Sequence, residues 1–236
     1  MKSKRAGKQT LLFTEPPRVI ASAAIVGELE GQGPLGGYFD EVLTDDTWGE
    51  ESWEKAERKM FEQSVRRALD KIGLESGDMD CLLGGDLLNQ IISANFAARE
   101  LKTPFLGLYG ACSTMAESLL IGSMLIDGGY AGRVACAATS HFCTAERQFR
   151  SPLEMGGQTT PTAQRTVTGA GSSILAYEGY TGKMLYGNVF ITAATIGRVV
   201  DLGITDTTNM GAAMAPAAAD TLCAHLSETG RSIRDY

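Results

Sequence analysis

Residues 104 to 129 read PFLGLYGACSTMAESLLIGSMLIDGG, and no other stretch limits the choice of fold as much. Phe105 to Tyr109 is short and apolar, and it lies between Pro104 and Gly110, which predicts a buried strand. Met115 to Ile126 is apolar almost throughout and stops at Asp127-Gly128-Gly129, which predicts a buried helix. Thr114 and Glu117 have the spacing of a capping box at its start. Cys112 therefore falls where a strand turns into a buried helix, close to backbone N–H groups that have no partner within the helix. Such a place lowers a thiol's pKa and suits an anion or an oxyanion. Free cysteines also serve as small hydrophobes of the core, and position alone leaves both readings open.

The 236 residues are 44% hydrophobic, enough for one large domain with a substantial core. The 28 glycines and the Ala/Gly/Ser/Thr runs suggest close packing and tight turns. A net charge of −7 argues against nucleic acid as a partner. Lys2, Lys4, Arg5 and Lys8 form a basic start that no apolar region follows, so a solvated tail is expected and not a signal peptide. No apolar run approaches the roughly 20 residues needed to span a bilayer, so no transmembrane segment is expected. Cys81, Cys112, Cys136, Cys143 and Cys223 show no Cys-x-x-Cys spacing, and an odd count suits a reducing compartment. With His141 and His225 as the only histidines, no metal site is expected. These features together predict a soluble, intracellular chain.

In chain order, residues 1–17 read as a mobile arm, and Arg18 to Gly27 as a buried strand. Residues 31–46 read as a surface loop fastened by Trp48 and Trp53. Trp53 to Ile72 is an amphipathic helix, with Met60, Phe61, Val65, Leu69 and Ile72 at helical spacing and Gly73 at its end. A Gly-x-x-x-x-Asp turn from Gly73 to Asp78 leads into a strand over 79–86, and a helix over 89–101 follows. Arg133 to Thr139 is a strand that delivers Ser140-His141-Phe142 at its exit. Residues 144–168 read as a polar, irregular insertion carrying Arg147, Arg150 and Arg165. Thr168-Gly169-Ala170-Gly171 then opens a strand over 172–177. This alternation predicts a mostly parallel sheet covered on both faces. Past residue 183 the pattern restarts, with Val189 to Val200 β-like, Met210 to Leu226 helical, and a second Gly-x-x-x-x-Asp turn from Gly230 to Asp235. The repetition suggests a weak internal duplication whose second copy is expected to be incomplete, leaving a sheet edge and helix faces uncovered.

Ala111-Cys112-Ser113-Thr114 between strand and helix, and a later Gly-Ala-Gly strand, resemble the thiolase and ketoacyl-synthase superfamily. The resemblance implies an α/β, thiolase-like, layered αβαβα fold with pseudo-duplicated halves. After the arm at 1–17, the first half would span 18–182 and an incomplete second half 183–236. Cys112 would be the ancestral nucleophile. Further segments, GDLLNQ (85–90), LYGACSTMAES (108–118), TAERQFR (144–150), TVTGAGS (166–172), IGRVVDLGITD (196–206) and MGAAMAPAAADT (210–221), are similar to the stage V sporulation protein AD family.

That family resemblance implies a non-catalytic sporulation protein that works with the other, membrane-embedded stage V A-operon proteins. It would sit peripheral to the forespore or spore inner membrane and help move dipicolinic acid into the developing spore. The implied ligand is dipicolinate, alone or with calcium, and no other cofactor is expected. Cys112, Ser113, Thr114, His141, Arg147 and Arg150 are the candidate ligand residues. The helix start offers N–H donors, the two arginines offer bidentate carboxylate contacts and His141 offers a hydrogen bond. Ion pairing is an equal reading for each arginine, and packing is an alternative for His141. Two other functions remain open. One is an acyltransferase with Cys112 as nucleophile and His141 or His225 as base; the other is a scaffold for membrane partners. A homodimer through the segment from Pro104 to Tyr109 is also implied.

Overall fold

The computed structural model describes residues 4–149, 165–206 and 209–236. Its strands are β1 (Thr10–Leu12), β2 (Arg18–Val26), β3 (Glu41–Val42), β4 (Cys81–Gly85), β5 (Phe105–Gly107), β6 (Arg133–Ser140), β7 (Gly169–Ala176) and β8 (Ala193–Thr195). The helices are α1 (Glu28–Gly31), α2 (Trp53–Ile72), α3 (Ile92–Leu101), α4 (Thr114–Asp127), α5 (Phe142–Phe149) and α6 (Met210–Thr229). Six strands form one sheet in the order β3-β2-β7-β6-β4-β5, and β1 pairs antiparallel with β8 in a separate ribbon. Within the large sheet β7 runs antiparallel to both its neighbours, β2 and β6, and every other pairing is parallel.

Side-chain alternation along these strands supplies two core layers. Leu82, Ala135, Ala137, Ile174 and Ala176 face α2 and α3. Leu83, Val134, Cys136 and Leu175 face α4. The first layer is closed by α2, whose Met60, Phe61, Val65, Ala68, Leu69 and Ile72 are buried. Its ends follow from local chemistry: the Ser52 side chain accepts from the Lys55 N–H, and Gly73 adopts the left-handed conformation at φ 71°. On the opposite face α4 lies so close to the sheet that a side chain at Gly122 would make its neighbours give way by a few tenths of an ångström. A Cβ there would be 3.1 Å from Cys136 Sγ and 3.1 Å from Leu175 Cδ1.

Several elements differ from the sequence reading. Among the described residues, α4 is covered on its sheet side only. Thr114, Ser118, Gly122, Ser123, Ile126 and Asp127 are buried, whereas Leu119, Leu120, Ile121 and Leu125 are half-buried and Met124 is exposed. The capping box expected from Thr114 and Glu117 does not form: Ser113 holds the N-cap position without a side-chain bond to the helix amides, and Thr114 Oγ1 is buried without a partner. Residues 142–149 form a helix where an irregular insertion was expected; its buried side carries Thr144 and Glu146, which hides the apolar period. The β-like stretch from Val189 to Val200 narrows to the three residues of β8. The helix expected over 89–101 is broken, with Gln90 at φ 58° and Ile91 at φ 45° preceding α3. The buried Asp86 carboxylate explains the break, because it accepts from both Leu88 N and Ala94 N at 2.7 Å.

Of the expected mobile arm, residues 4–15 are held against the body. Asp127, at the end of α4, accepts from Thr14 N and Glu15 N at 2.8 Å each and pairs with Lys4. Glu228 accepts from the backbone of Lys8, Gln9 and Thr10. The two glycine turns share one geometry. Gly73 and Gly230, at φ 71° and 67°, end helices of 20 residues each, and the same spacing separates the two helix starts as the two glycines. In each turn the aspartate accepts a backbone N–H three residues earlier, Asp78 from Glu75 and Asp235 from Ser232. Yet α2 buries much of its surface, while α6 has no buried residue. Among the described residues no helix is long and apolar enough to cross a membrane.

Candidate functional site

Three features of the sequence bring Cys112 to the surface. The Gly84-Gly85 exit of β4 lets the chain after β5 pass close by, since a Cβ on Gly85 would lie 2.2 Å from Leu108 O. Ala111 then takes a positive φ of 47°, a conformation a non-glycine residue adopts only at a cost and one concentrated at functional sites. A single 3-10 turn, Ala111–Ser113, leads into α4 and leaves Cys112 exposed.

The thiol borders a cleft of about 800 Å³. The exits of β4 and β6 contribute Leu87, Ala138, Thr139 and Ser140, α4 contributes Met115, and the opposite wall is the start of α6 with Met210, Met214 and Ala218. The lining is mainly apolar. Ser140 Oγ donates to Val167 O at 2.6 Å and Thr139 Oγ1 to Gly169 O at 3.1 Å, so both hydroxyl protons are committed to the preceding edge of β7. Arg165 brings positive charge to the wall; its guanidinium lies 3.7 Å from the centre of the Phe142 ring.

The other candidate residues lie apart from this cleft. Ser113 N and Oγ both donate to Gly110 O, and Thr114 N donates to Ala111 O, so those amides close local turns. His141 is wholly buried. Its Nε2 lies 2.6 Å from Asp46 O, and its Nδ1 is 3.1 Å from Cys143 N. A carbonyl on one side and an amide donor on the other specify the neutral ring with the proton on Nε2. Burial holds its pKa below the usual histidine value. Arg147 pairs with Glu54 at 3.0 Å and lies over the Trp53 ring at 4.7 Å. His225 contacts Thr195 Oγ1 and the Tyr236 hydroxyl. Arg150 lies outside the described residues. Of the five candidates among the described residues, Cys112 alone lines the cleft.

Arg165, Met115, Met210 and Met214 complete the cleft, and none was singled out from sequence. Arg165 stood among three equivalent loop arginines, and the methionines read as ordinary helix residues. Among the described residues no cluster of histidine, cysteine and carboxylate groups is placed to hold a metal ion. Of the five thiols, burial pushes Cys136 up to about 12 and Cys143 up to about 11, and raises Cys81. Cys112 and Cys223 are the exposed pair.

The sequence model of the family described as stage V sporulation protein AD matches residues 7–236 of this chain. The stage V sporulation protein AD of Bacillus subtilis (strain 168) is 47% identical over 233 residues, which cover 99% of this chain and 67% of that protein. Among solved structures, a variant of Xanthomonas campestris OleA superposes with a TM-score of 0.64 at 13% identity, covering 95% of this chain and 75% of that one. A second OleA structure, holding lauric acid and lauroyl-CoA, gives a TM-score of 0.58 at 14% identity over 94% of this chain and 76% of that one. At these identities the OleA likeness concerns the fold, which is the thiolase-like layered α/β arrangement.

Proposed function

This chain belongs to the stage V sporulation protein AD family, and on that premise we propose that it is a non-catalytic, thiolase-fold protein that binds dipicolinic acid and supports its uptake into the developing spore. The observation that carries the proposal is the cleft at Cys112, a mostly apolar space with a guanidinium on its wall. A flat aromatic acid fits that chemistry. Its ring packs against Met115, Met210 and Met214 through thioether contacts, and one carboxylate takes the paired N–H donors of Arg165. Cys112 then serves as a neutral wall. Binding without turnover is favoured because both histidines among the described residues are engaged away from the thiol.

Calorimetric titration with dipicolinate, with and without Ca²⁺, tests this reading. Saturable heat is expected for the wild type. Arg165→Gln is expected to weaken binding about tenfold or more, the value of one charge-assisted pair. Arg147→Gln, which alters a guanidinium held by Glu54 and Trp53, is expected to leave the affinity unchanged. A titration without saturation removes the proposal. The remaining parts of the reading are location and assembly. The protein would dock peripherally at the forespore membrane beside its membrane-embedded partners, and it would pair with a second copy through the edge of β5, where Leu106 and Tyr109 are exposed.

One observation favours a second reading, an acyltransferase: an exposed thiol at the mouth of an apolar cleft is also what an acyl chain requires. Intact mass after incubation with acyl-CoA separates the two. An adduct that disappears in Cys112→Ala supports the enzyme, and an unmodified chain supports the binder.

A further inference from the structure

A second cavity, of about 320 Å³, opens between α2 and α3 and is lined by Glu54, Lys55, Arg58, Ile92, Ser93, Phe96 and Arg99. Three of these side chains are cationic. Two have carboxylate partners on the exposed surface, Lys55 with Glu51 and Arg99 with Glu100, and Glu54 is taken by Arg147. Arg58 makes no ion pair within 4 Å among the described residues, although, after the hydrogen bond and charge of Arg99, its charge helps to lower the pKa of Glu100, and its Nε is buried without a hydrogen bond. Ser93, 2% exposed, also lines the cavity, and its Oγ likewise has no partner. Both of these atoms are closed to solvent, so the groups that a molecule in the cavity meets are the part-exposed side chain of Arg58 and the exposed one of Arg99. The opposite chemistry is present as well, since Ile92 and Phe96 offer half-exposed apolar surface and Arg99 lies 5.2 Å from the centre of the Phe96 ring.

We propose that this cavity is an anion-binding site for a small organic acid, in which a carboxylate or phosphate group is held by Arg58 and Arg99 and an apolar body rests on Phe96 and Ile92. The inference is independent of the reading at Cys112, whose cleft shares no residue with this cavity. The acid's head group accepts from the part-exposed guanidinium of Arg58. Surface carboxylates screen the approach only weakly, because Glu51 and Glu100 are already paired.

The test uses benzoate and phenyl phosphate as probes, titrated into the full chain at low and at physiological salt. Inorganic phosphate serves as the head group alone. Both organic probes are expected to bind saturably, more weakly at the higher salt, and phenyl phosphate is expected to bind more tightly than inorganic phosphate. Arg58→Gln is expected to weaken both about tenfold. Arg99→Gln, at a largely exposed side chain that folding tolerates, is expected to weaken them in the same direction. Arg198→Gln, at a surface ion pair with Asp220 that borders neither cavity, is expected to leave them unchanged. Absence of saturable binding by either organic probe overturns the proposal. So does unchanged binding in both Arg58→Gln and Arg99→Gln.

Discussion

Glu57 shows how one residue can carry a pH signature that the sequence does not advertise. It belongs to the periodic, charged-looking surface of α2, yet it is fully buried; Thr144 donates to its Oε2 at 2.7 Å, and its Oε1 has no partner. Burial, with smaller contributions from Asp86 and Glu54, pushes its pKa from 4.5 up to about 8. The carboxyl is thus neutral in the folded chain and charged in the unfolded chain at intermediate pH. Its contribution to stability is complete below about 4.5 and is lost as pH rises towards about 8. Glu57→Gln is therefore expected to be more stable than wild type at pH 8 and about equal at pH 4.5, by an amount on the order of a few kcal/mol. Denaturant midpoints of the two proteins at both pH values check this, and a pH-independent difference would contradict it. The same limit of sequence applies to the candidate site. Cys112 was legible because a strand, a turn and an apolar helix adjoin it in the chain. Arg165 was not, since only the fold brings it to the cleft, and for His141, read as a ligand candidate with a packing role set against it, burial and two hydrogen bonds account for the ring.

Elements with a clean apolar period and strong end signals were legible to the residue. The reading of α2 matches its observed span, Trp53–Ile72, because its apolar period is unbroken and Gly73 marks its end; the structure adds the Ser52 cap at its start. Elements whose buried side is polar were not: α5 buries Thr144 and Glu146, and the start of α3 is set by Asp86 from another element. The same holds for β7, whose direction is fixed by its neighbours on both sides and not by its own residues. The placement of α4 depends on one glycine. Gly122→Val puts a branched side chain where Cys136, Leu175 and Val134 approach within 3.1, 3.1 and 3.3 Å of a Cβ. It is expected to lower stability by about 1–3 kcal/mol and to shift the helix that follows the Cys112 turn. Thermal denaturation reads the first effect. At the other end of α4, Asp127→Asn weakens the anchor of Lys4, Thr14 and Glu15. Limited trypsin digestion is expected to cut that variant faster after Arg5 and Lys8, and equal rates would contradict the anchor.

The whole molecule is a thiolase-like frame in which the turn at Cys112 opens on a cleft made by two parts of the chain distant in sequence. The frame's first core, α2 and α3 against the sheet, is self-contained, whereas the cleft needs the start of α6 as its far wall. Accessibility of Cys112 therefore reports on ligand and cleft together, and Cys223, exposed on α6 but absent from the cleft lining, provides an internal reference. The buried thiols Cys81, Cys136 and Cys143 have raised pKa values and stay silent. The most direct measurement is the rate of iodoacetamide labelling at Cys112 and at Cys223, read by peptide mass with and without saturating dipicolinate. The account predicts slower labelling at Cys112 and no change at Cys223. Equal rates at Cys112 with and without the acid would contradict it.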